Sequence, residues 1–383
     1  MGASRVSDRD GQDRRFMQVA LRQALRAVGR TAPNPAVGAL IVDPSTGEVI
    51  ARGSTQPGGR PHAEAEVLAV AGPDARGKTM YVTLEPCSHH GRTPPCADAI
   101  LQAGIARVVC PIEDPDPRVS GKGVALLRQA GVTVDMGVCA HAARWMAAGH
   151  ILRMTERRPF VQLKLAVSRD GLIARGDGTP RWVTGPEARA LGHLMRARAD
   201  AILVGRGTVA DDDPDLTCRL PGLASASPRR IVLDAQFRTP STAQLVRSAG
   251  EVPVTIIGGT DAPAPRYPSG VTVGRAPLAG REPGRIDLRA VLGGLSEDGI
   301  TRLLVEGGPT VARSFLNAGL VDEAVIFHGT EALGAAGLPP ILDPGLEMFE
   351  DTRTWRLADE RAIGADHVRR YRAIGSSHVE AGP

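Results

Sequence analysis

Apolar residues first recur at helical spacing in Phe16 to Val28, where Met17, Leu21, Leu25 and Val28 share a face with Ala20 and Ala24 beside them. The polar run MGASRVSDRDGQDRR at the start lacks an apolar stripe, so residues 1–14 are expected to be disordered. After TAPNPAVG breaks the helix, strand-like runs follow at Val37 to Val42, Val49 to Arg52, Thr79 to Leu84, Arg107 to Pro111 and Val132 to Val138. Helix-like stretches alternate with them at Ala63 to Ala71, Ala97 to Ala103 and Gly123 to Ala130, several closing on glycine as helix C-caps do. Such alternation predicts a layered α/β sheet. HILRMTERRP (150–159) is charged, ends in proline and reads as a connector. A second α/β series then runs through FVQLKLAVS (160–168), a helix from Pro186 to Ala199, AILVG (201–205), RRIVLD (229–234), VPVTIIGG (252–259), RLLVEGG (302–308), a helix from Pro309 to Ala318, and EAVIFHG (323–329). Segments 218–228 and 260–285, rich in Pro, Gly, Ser and Ala, are expected to be loops or insertions.

A chain of 383 residues exceeds one ordinary core, so the two series are read as two domains, 15–150 and 159–375. The balance is mildly basic, +4 from 46 Lys+Arg against 42 Asp+Glu, without a basic block or stripe, which argues against a nucleic-acid surface. All but three of the cations are arginine, which makes Lys78, Lys122 and Lys164 conspicuous. Three Trp, three Tyr and six Phe leave the cores to Val, Leu, Ile and Ala. Five cysteines, an odd number, do not suggest a disulfide framework, and Cys110, Cys139 and Cys218 read as buried or incidental thiols. With no apolar h-region and no run of 18 apolar residues, neither a signal peptide nor a membrane span is indicated, and a reducing, cytoplasmic setting is expected.

The chemistry is densest in PHAEAEVLAV (61–70) and TLEPCSHHGRTPPCADAI (83–100). A His, a Glu two residues on, and a downstream Pro-Cys with a second Cys make up a zinc-deaminase signature. His62, Cys87 and Cys96 supply three ligands and leave the fourth position for water, as a catalytic zinc site requires. Glu64 is the general base, accepting the water proton and passing it to the departing amine. Nucleic-acid and nucleoside deaminases usually place two residues between the cysteines, whereas eight intervene here.

PNPAVG, PHAE and TLEPCSHHGRTPPC together resemble the pyrimidine deaminase domain of the bifunctional riboflavin-biosynthesis deaminase/reductase family. The resemblance implies that Asn34 contacts the pyrimidine and that His89 and Arg92 line the substrate pocket. Thr55 stands where the family often has a histidine. KLAVSRDG (164–171), PRWVTG (180–185), LMRARADAILVGRGTVADDDPDLTCR (194–219) and VEGGPT occur in the order of the same family's reductase domain, which resembles dihydrofolate reductase in fold and uses NADPH. VEGGPTVARSFL (305–316) passes from strand through glycines into a helix and so presents a helix N-terminus to a phosphate.

By that resemblance Lys164, Arg196, Leu216, Arg219 and Glu306 meet the substrate, the two arginines taking its phosphate or ribose. Ala166, Thr208, one of Asp211, Asp212 and Asp213, and the turn Gly308, Pro309, Thr310, Val311, Ala312, Arg313 and Ser314 meet the cofactor. Spacing from Thr208 and Pro214 favours Asp212. Trp182 is either a flat wall for the cofactor or a core tryptophan. Pro180 and Ala235 stand where relatives often have Ser.

The expected architecture is an N-terminal cytidine-deaminase-like three-layer α/β/α domain followed by a C-terminal dihydrofolate-reductase-like α/β domain. The expected function is hydrolytic deamination of a diaminopyrimidinone phosphoribosylamine, followed by NADPH-dependent reduction of its ribosyl group to ribityl. Zn2+ and NADPH are the implied cofactors, and a small phosphorylated pyrimidine is the implied partner of a homo-oligomer. Two alternatives stand beside this: a deaminase acting on another pyrimidine or a nucleic-acid base with a nucleotide-binding second domain, and a non-enzymatic zinc module fused to a nucleotide sensor.

Overall fold

The computed structural model describes residues 2–89, 94–175, 182–280, 284–334, 337–341 and 345–375, with side chains described from Arg9 onward. Arg92 and Pro180 lie outside the described residues. The chain divides into two compact units between Glu156 and Arg157.

The first unit runs α1 (Gly2–Ala27), β1 (Gly38–Val42), β2 (Val49–Ser54), α2 (Ala63–Ala71), β3 (Thr79–Val82), α3 (Cys96–Gln102), β4 (Arg107–Cys110), α4 (Lys122–Gln129), β5 (Thr133–Met136), α5 (Ala140–Met146) and α6 (Ala148–Thr155). Its sheet has the order β2-β1-β3-β4-β5, with β3, β4 and β5 parallel and β1 antiparallel to both neighbours. Two glycines show how the layers form. A Cβ on Gly38 would lie 2.0 Å from the Ala20 carbonyl oxygen, so α1 rests directly on the backbone of β1. Gly53 pairs with Ala39 and faces Glu66 and Val67 of α2. Because side chains alternate along a strand, α1 and α2 cover opposite faces.

α1 begins at Gly2 and so includes residues 2–14 of the stretch expected to be disordered. Asp13 lies one turn before Met17 on the buried face, and its carboxylate is only 4% exposed. It accepts the Tyr81 hydroxyl at 2.6 Å and two Arg107 bonds at 2.9 and 2.6 Å. These partners come from β3 and β4, so a helix stripe sought in apolar residues alone begins too late. The connector reading of 150–159 is also corrected: residues 148–155 form α6, with His150 buried and its Nε2 2.8 Å from Asp114 Oδ1.

The second unit contains β6 (Phe160–Val167), β7 (Ala174–Arg175), α7 (Pro186–Ala197), β8 (Ala201–Gly205), α8 (Arg206–Asp212), β9 (Arg229–Leu233), α9 (Gln244–Arg247), β10 (Val254–Gly259) and β11 (Val271–Ala276). It continues with α10 (Leu288–Glu297), β12 (Arg302–Val305), α11 (Pro309–Asn317), β13 (Glu323–His328), β14 (Gly337–Leu338), β15 (Trp355–Ile363) and β16 (Asp366–Ala373). The nine-stranded sheet has the order β11-β10-β9-β8-β12-β6-β13-β16-β15, parallel from β11 to β13 and antiparallel beyond. Val161, Leu163, Leu165 and Val167 of β6 pack on one face with Leu292, Leu295, Ala312 and Phe315 of α10 and α11. The other face, under α7, α8 and α9, carries Gln162, Lys164 and Ala166 of the same strand.

β11 lies inside the segment expected to be loop, and β15 and β16 had no strand-like pattern. β11 is an edge strand with Ala276 its one buried residue, and β15 is an edge strand with six of its nine residues exposed. Neither has a buried face to imprint apolar alternation on the sequence. No described helix is long and apolar enough to cross a membrane.

Replacing Arg107 by Leu would leave the Asp13 carboxylate buried beside Tyr81 without its cation. Breaking a buried pair in this way costs about 3 kcal/mol, against about 1 kcal/mol for Tyr81→Phe. Urea unfolding followed by circular dichroism checks the ranking; equal, negligible losses would show that α1 does not depend on this pair.

Candidate active sites

In the first unit two helices begin at one point. His62 occupies the N-cap of α2 in extended conformation, Cys96 is the first residue of α3 after Pro95, and Cys87 follows the end of β3. His62 Nδ1 lies 3.7 Å from Cys87 Sγ and 3.4 Å from Cys96 Sγ, and the three donor atoms all lie within 4.8 Å of one another. A tetrahedral zinc with bonds of about 2.3 Å to sulfur and about 2.0 Å to nitrogen would hold N and S about 3.6 Å apart, so this donor set fits the ion.

The hydrogen bond from Cys96, aided by His62, draws Cys87 down to about 4, while the same bond and burial push Cys96 up. The Cys96 amide also donates to Cys87 Sγ at 3.3 Å. Glu64, two residues after His62, is 4% exposed, and burial together with the neighbouring Cys87 thiolate pushes its carboxyl up to about 7. A carboxyl poised near neutrality can both take and return a proton.

The other expected residues of this site fall on two loops. Asn34 Nδ2 donates to the Gly59 carbonyl at 2.8 Å, which joins the 31–34 loop to the segment leading into His62. His89 Nδ1 is buried without a hydrogen-bond partner among the described residues. Thr55 is buried, and its hydroxyl accepts the Val37 amide at 3.0 Å, an internal bond between the starts and ends of paired strands.

Sequence reasoning missed Glu85. Its buried carboxylate accepts amides of Asp114 at 3.0 Å, Gly121 at 2.9 Å and Val124 at 3.1 Å. The N-cap of α4, Gly121, has no side chain, so Glu85 caps that helix from a distant loop. A Cβ on Gly123 would meet the Pro86 carbonyl at 2.1 Å. The Glu-Pro-Cys run is thereby pressed against α4, which holds Cys87 from behind. The only sequence signal was an acid beside Pro-Cys.

In the second unit the adjacent parallel strands β8 and β12 each lead through glycine into a helix, Gly205 into α8 and Gly307-Gly308 into α11. A Cβ on Gly205 or Gly307 would approach Val311 to 2.8 or 2.6 Å, so the closeness of these turns requires glycine. The Gly308 amide donates to Thr208 Oγ1 at 3.2 Å, which ties the two helix starts together. The paired N-termini and bare glycine backbone match the donor chemistry a dinucleotide phosphate needs. Pro309, Thr310 and Val311 form the first turn of α11, where Arg313 also lies. Ala312 is wholly buried, and Ser314 lies beyond the first turn with its hydroxyl accepting Arg285 at 2.6 Å. Asp212 ends α8, and burial with neighbouring Asp211 raises its carboxyl. Trp182 is 71% exposed with the Arg189 guanidinium 5.1 Å over its ring, so the core-tryptophan alternative is overturned.

Glu306 directly follows β12, and Lys164 lies on neighbouring β6. Arg196 from α7 grips Glu306 in a two-point bond, Nε to Oε1 and Nη2 to Oε2, both 2.9 Å. Lys164 Nζ stands 3.9 Å from Oε2. Burial pushes the Glu306 carboxyl up, but Arg196 and then Lys164 overcome it and hold it down at about 2. Arg196 also donates to the Thr217 carbonyl at 3.1 Å, and Arg219 Nη1 lies 3.7 Å from Asp215. The Leu216 side chain is 3% exposed in the core, with φ at +61°, so its backbone rather than its side chain borders this cluster. Ala166 lies further along β6 on the Lys164 face. His193, whose Nδ1 lies within hydrogen-bond reach of both the Thr217 carbonyl and the Arg219 amide, and Asp215 and Thr217 themselves, carried no separate sequence signal.

Residues 159–368 match a family described as RibD C-terminal domain, and residues 10–112 one described as cytidine and deoxycytidylate deaminase zinc-binding region. The chain is 39% identical over 366 residues to the riboflavin biosynthesis protein RibD of Escherichia coli (strain K12), covering 93% of this chain and 98% of that one. It is 39% identical over 357 residues to RibD of Aquifex aeolicus (strain VF5), covering 93% and 97%. Among solved structures, form 1 of Acinetobacter baumannii RibD has a TM-score of 0.82 at 33% identity, over 95% of this chain and 99% of that one. A Thermotoga maritima protein described as a diaminohydroxyphosphoribosylaminopyrimidine deaminase/5-amino-6-(5-phosphoribosylamino)uracil reductase has a TM-score of 0.83 at 32% identity, over 96% and 100%.

Cys87→Ser and Cys96→Ser should each weaken zinc binding about 100-fold or more, while Glu64→Gln should bind zinc as the parent does. Competition with a chromophoric chelator measures this; undiminished affinity in both cysteine variants would exclude the triad as the metal site. Glu306 is held below its unfolded pKa, so it contributes stability above about pH 4.5 that is lost as pH falls toward 2. The urea midpoint of the second unit should therefore drop over that window, and Glu306→Gln should flatten the drop.

Proposed function

The chain belongs to the RibD family of bifunctional riboflavin-biosynthesis deaminase/reductases, and on that premise we propose how its residues divide two successive reactions. The observation that carries the reading is the His62, Cys87 and Cys96 donor set with buried Glu64 beside it, on one chain with the Lys164, Arg196 and Glu306 cluster. Residues 15–150 act as the deaminase and residues 159–375 as the reductase. The substrates are those that name the Thermotoga relative: a diaminohydroxyphosphoribosylaminopyrimidine, then 5-amino-6-(5-phosphoribosylamino)uracil.

Zinc, when bound, supplies the Lewis acidity that makes a water a usable nucleophile at neutral pH. Glu64 accepts that water's proton and returns it to the ring amine, so that the carbon gains oxygen and ammonia leaves. Asn34, His89 and Arg92 hold the pyrimidine and its phosphorylated substituent. His89 suits this role because its buried Nδ1 has no described protein partner.

NADPH, when bound, supplies the hydride for the second reaction. The sugar carbon bonded to the amine gains that hydride, its bond to the ring oxygen breaks, and the oxygen takes a proton. Lys164, Arg196 and Arg219 meet the ribose phosphate, and Glu306 keeps Arg196 oriented while facing the sugar, with the Leu216 backbone beside it. Ala166, Thr208, Asp212 and residues Gly308 to Ser314 at the start of α11 would border NADPH, and exposed Trp182 would offer it a flat apolar wall. The cofactors of this reading are Zn2+ and NADPH, and the partner is a small phosphorylated pyrimidine rather than nucleic acid. The same reading places the enzyme in the cytoplasm, where its five free cysteines stay reduced, as a homo-oligomer.

Ammonia release and NADPH oxidation can be read separately in purified protein. Glu64→Gln should lower ammonia release about 100- to 10,000-fold while leaving oxidation of NADPH by the supplied deaminated uracil at the parent rate. Lys164→Met should do the reverse. Zinc-dependent ammonia release with no NADPH consumption by the parent protein would sink the two-reaction assignment.

A further inference from the structure

Arg230, in β9, is buried completely at 0% exposure. An arginine side chain keeps its charge at any physiological pH, so such burial is tolerated only where partners meet its donors. Here they meet Nη1 and Nη2, while the buried Nε has none among the described residues. Nη1 donates to the Asp215 carbonyl at 3.1 Å, to Asp215 Oδ1 at 3.4 Å and to Ser248 Oγ at 2.8 Å. Nη2 donates to the carbonyls of Ser248, at 3.0 Å, and Val252. Asp215 is the one carboxylate in this set.

Asp215 sits between two residues with unfavourable backbone. Asp213 has φ at +38° and Leu216 at +61°, in the left-handed region that side-chain-bearing residues avoid. Arg230 grips both the carbonyl and the carboxylate of the residue between them, and the Gln244 amide holds Asp213 Oδ1 at 2.7 Å. The second carboxylate oxygen of Asp215 accepts the Thr217 hydroxyl and lies 3.7 Å from Arg219 Nη1. The Thr217 carbonyl in turn accepts Arg196 Nη1 at 3.1 Å, and Arg196 holds Glu306 at two points. A continuous polar chain thus runs from the buried guanidinium through segment 213–219 to both arginines of the reductase site.

We propose that Arg230 is a positioning residue for the second reaction, locking segment 213–219 in the backbone conformation that aims Arg219, and Arg196 through Thr217, at the sugar-phosphate end of the substrate. It touches neither substrate nor cofactor. The proposal rests on the reductase reading above, in that the substrate carries a ribose phosphate. Removing the lock should weaken substrate binding while sparing the chemical step. The first reaction, carried by the other unit of the same chain, is an internal control for general damage.

The test uses the full-length protein with zinc and NADPH, comparing the parent with Arg230→Met, Arg230→Lys and Asp215→Asn. For Arg230→Met, KM for 5-amino-6-(5-phosphoribosylamino)uracil should rise roughly tenfold or more, with kcat within about threefold of the parent. KM for NADPH and the rate of ammonia release should stay unchanged. Arg230→Lys should recover part of the lost affinity, because it restores the charge beside Asp215 without the planar fork. A pyrimidine KM within about twofold of the parent would overturn the proposal. So would a fall in kcat together with a rise in both KM values and a lowered melting temperature, the pattern of a purely structural residue. If Arg230→Met does not accumulate folded, Asp215→Asn decides: a selective KM rise supports the lock, and parental kinetics refute it. Absence of NADPH oxidation by the parent would remove the reductase reading itself, whereas parental turnover with unchanged variants removes only the role of Arg230.

Discussion

Three soft donors from segments separated by 25 and 34 residues must converge within a few ångströms, and much of the first unit is arranged around that requirement. Two of the three stand at helix starts, where the chain turns sharply from an extended to a helical backbone and a side chain can be aimed with little freedom. The third, Cys87, lies on a loop and needs external support. Glu85 and Gly123 provide it: the carboxylate caps α4, and the missing Cβ lets α4 sit against the Pro86 carbonyl. A side chain at residue 123 would push α4 away from the loop, so a residue with no functional group of its own helps set the position of the Cys87 thiol.

The second unit solves a related problem with backbone and permanent charge. Parallel strands side by side release their helices from the same sheet edge, so α8 and α11 present their N-termini together, and Val311 packs so closely on Gly205 and Gly307 that neither turn can carry a side chain. Beside them one carboxylate faces two cations. Glu306 stays ionised despite its burial because Arg196 and Lys164 outweigh the desolvation, and the trio keeps a net positive charge. That surplus suits an anionic substrate better than a fully neutralised cluster would.

The convergence of His62, Cys87 and Cys96 beside Glu64 was legible because such a cluster is tied to residue type and short spacing, and because the helices these residues begin have ordinary apolar periodicity. The strand-glycine-helix turn at residues 305–316 was legible for the same reason. Other features depend on partners distant in sequence. Asp13 gives α1 an extra buried turn only through Tyr81 and Arg107, the latter 94 residues away, and His150 meets Asp114, 36 residues away, where an apparent connector is helix. Glu85 looks like any loop acid until α4 arrives on it. Strands β11 and β15 leave no trace because an exposed edge has no face to keep apolar. Periodicity therefore reports where chain meets core, and is silent where polar groups meet each other.

The near-absence of lysine gives Lys164 a physical meaning that its sequence position alone could not. Arg196 spends its planar fork on Glu306 and a further donor on the Thr217 carbonyl, so it is largely committed before any ligand arrives. Lys164 stands 3.9 Å from the same carboxylate, beyond hydrogen-bond reach but well within electrostatic influence. Its ammonium therefore feels Glu306 without being consumed by it, and its donors can turn toward a bound group. An arginine at this position would bring a second fork to a carboxylate that already holds one. The cluster thus combines a planar fork held at two points in Arg196 with a compact point charge in Lys164.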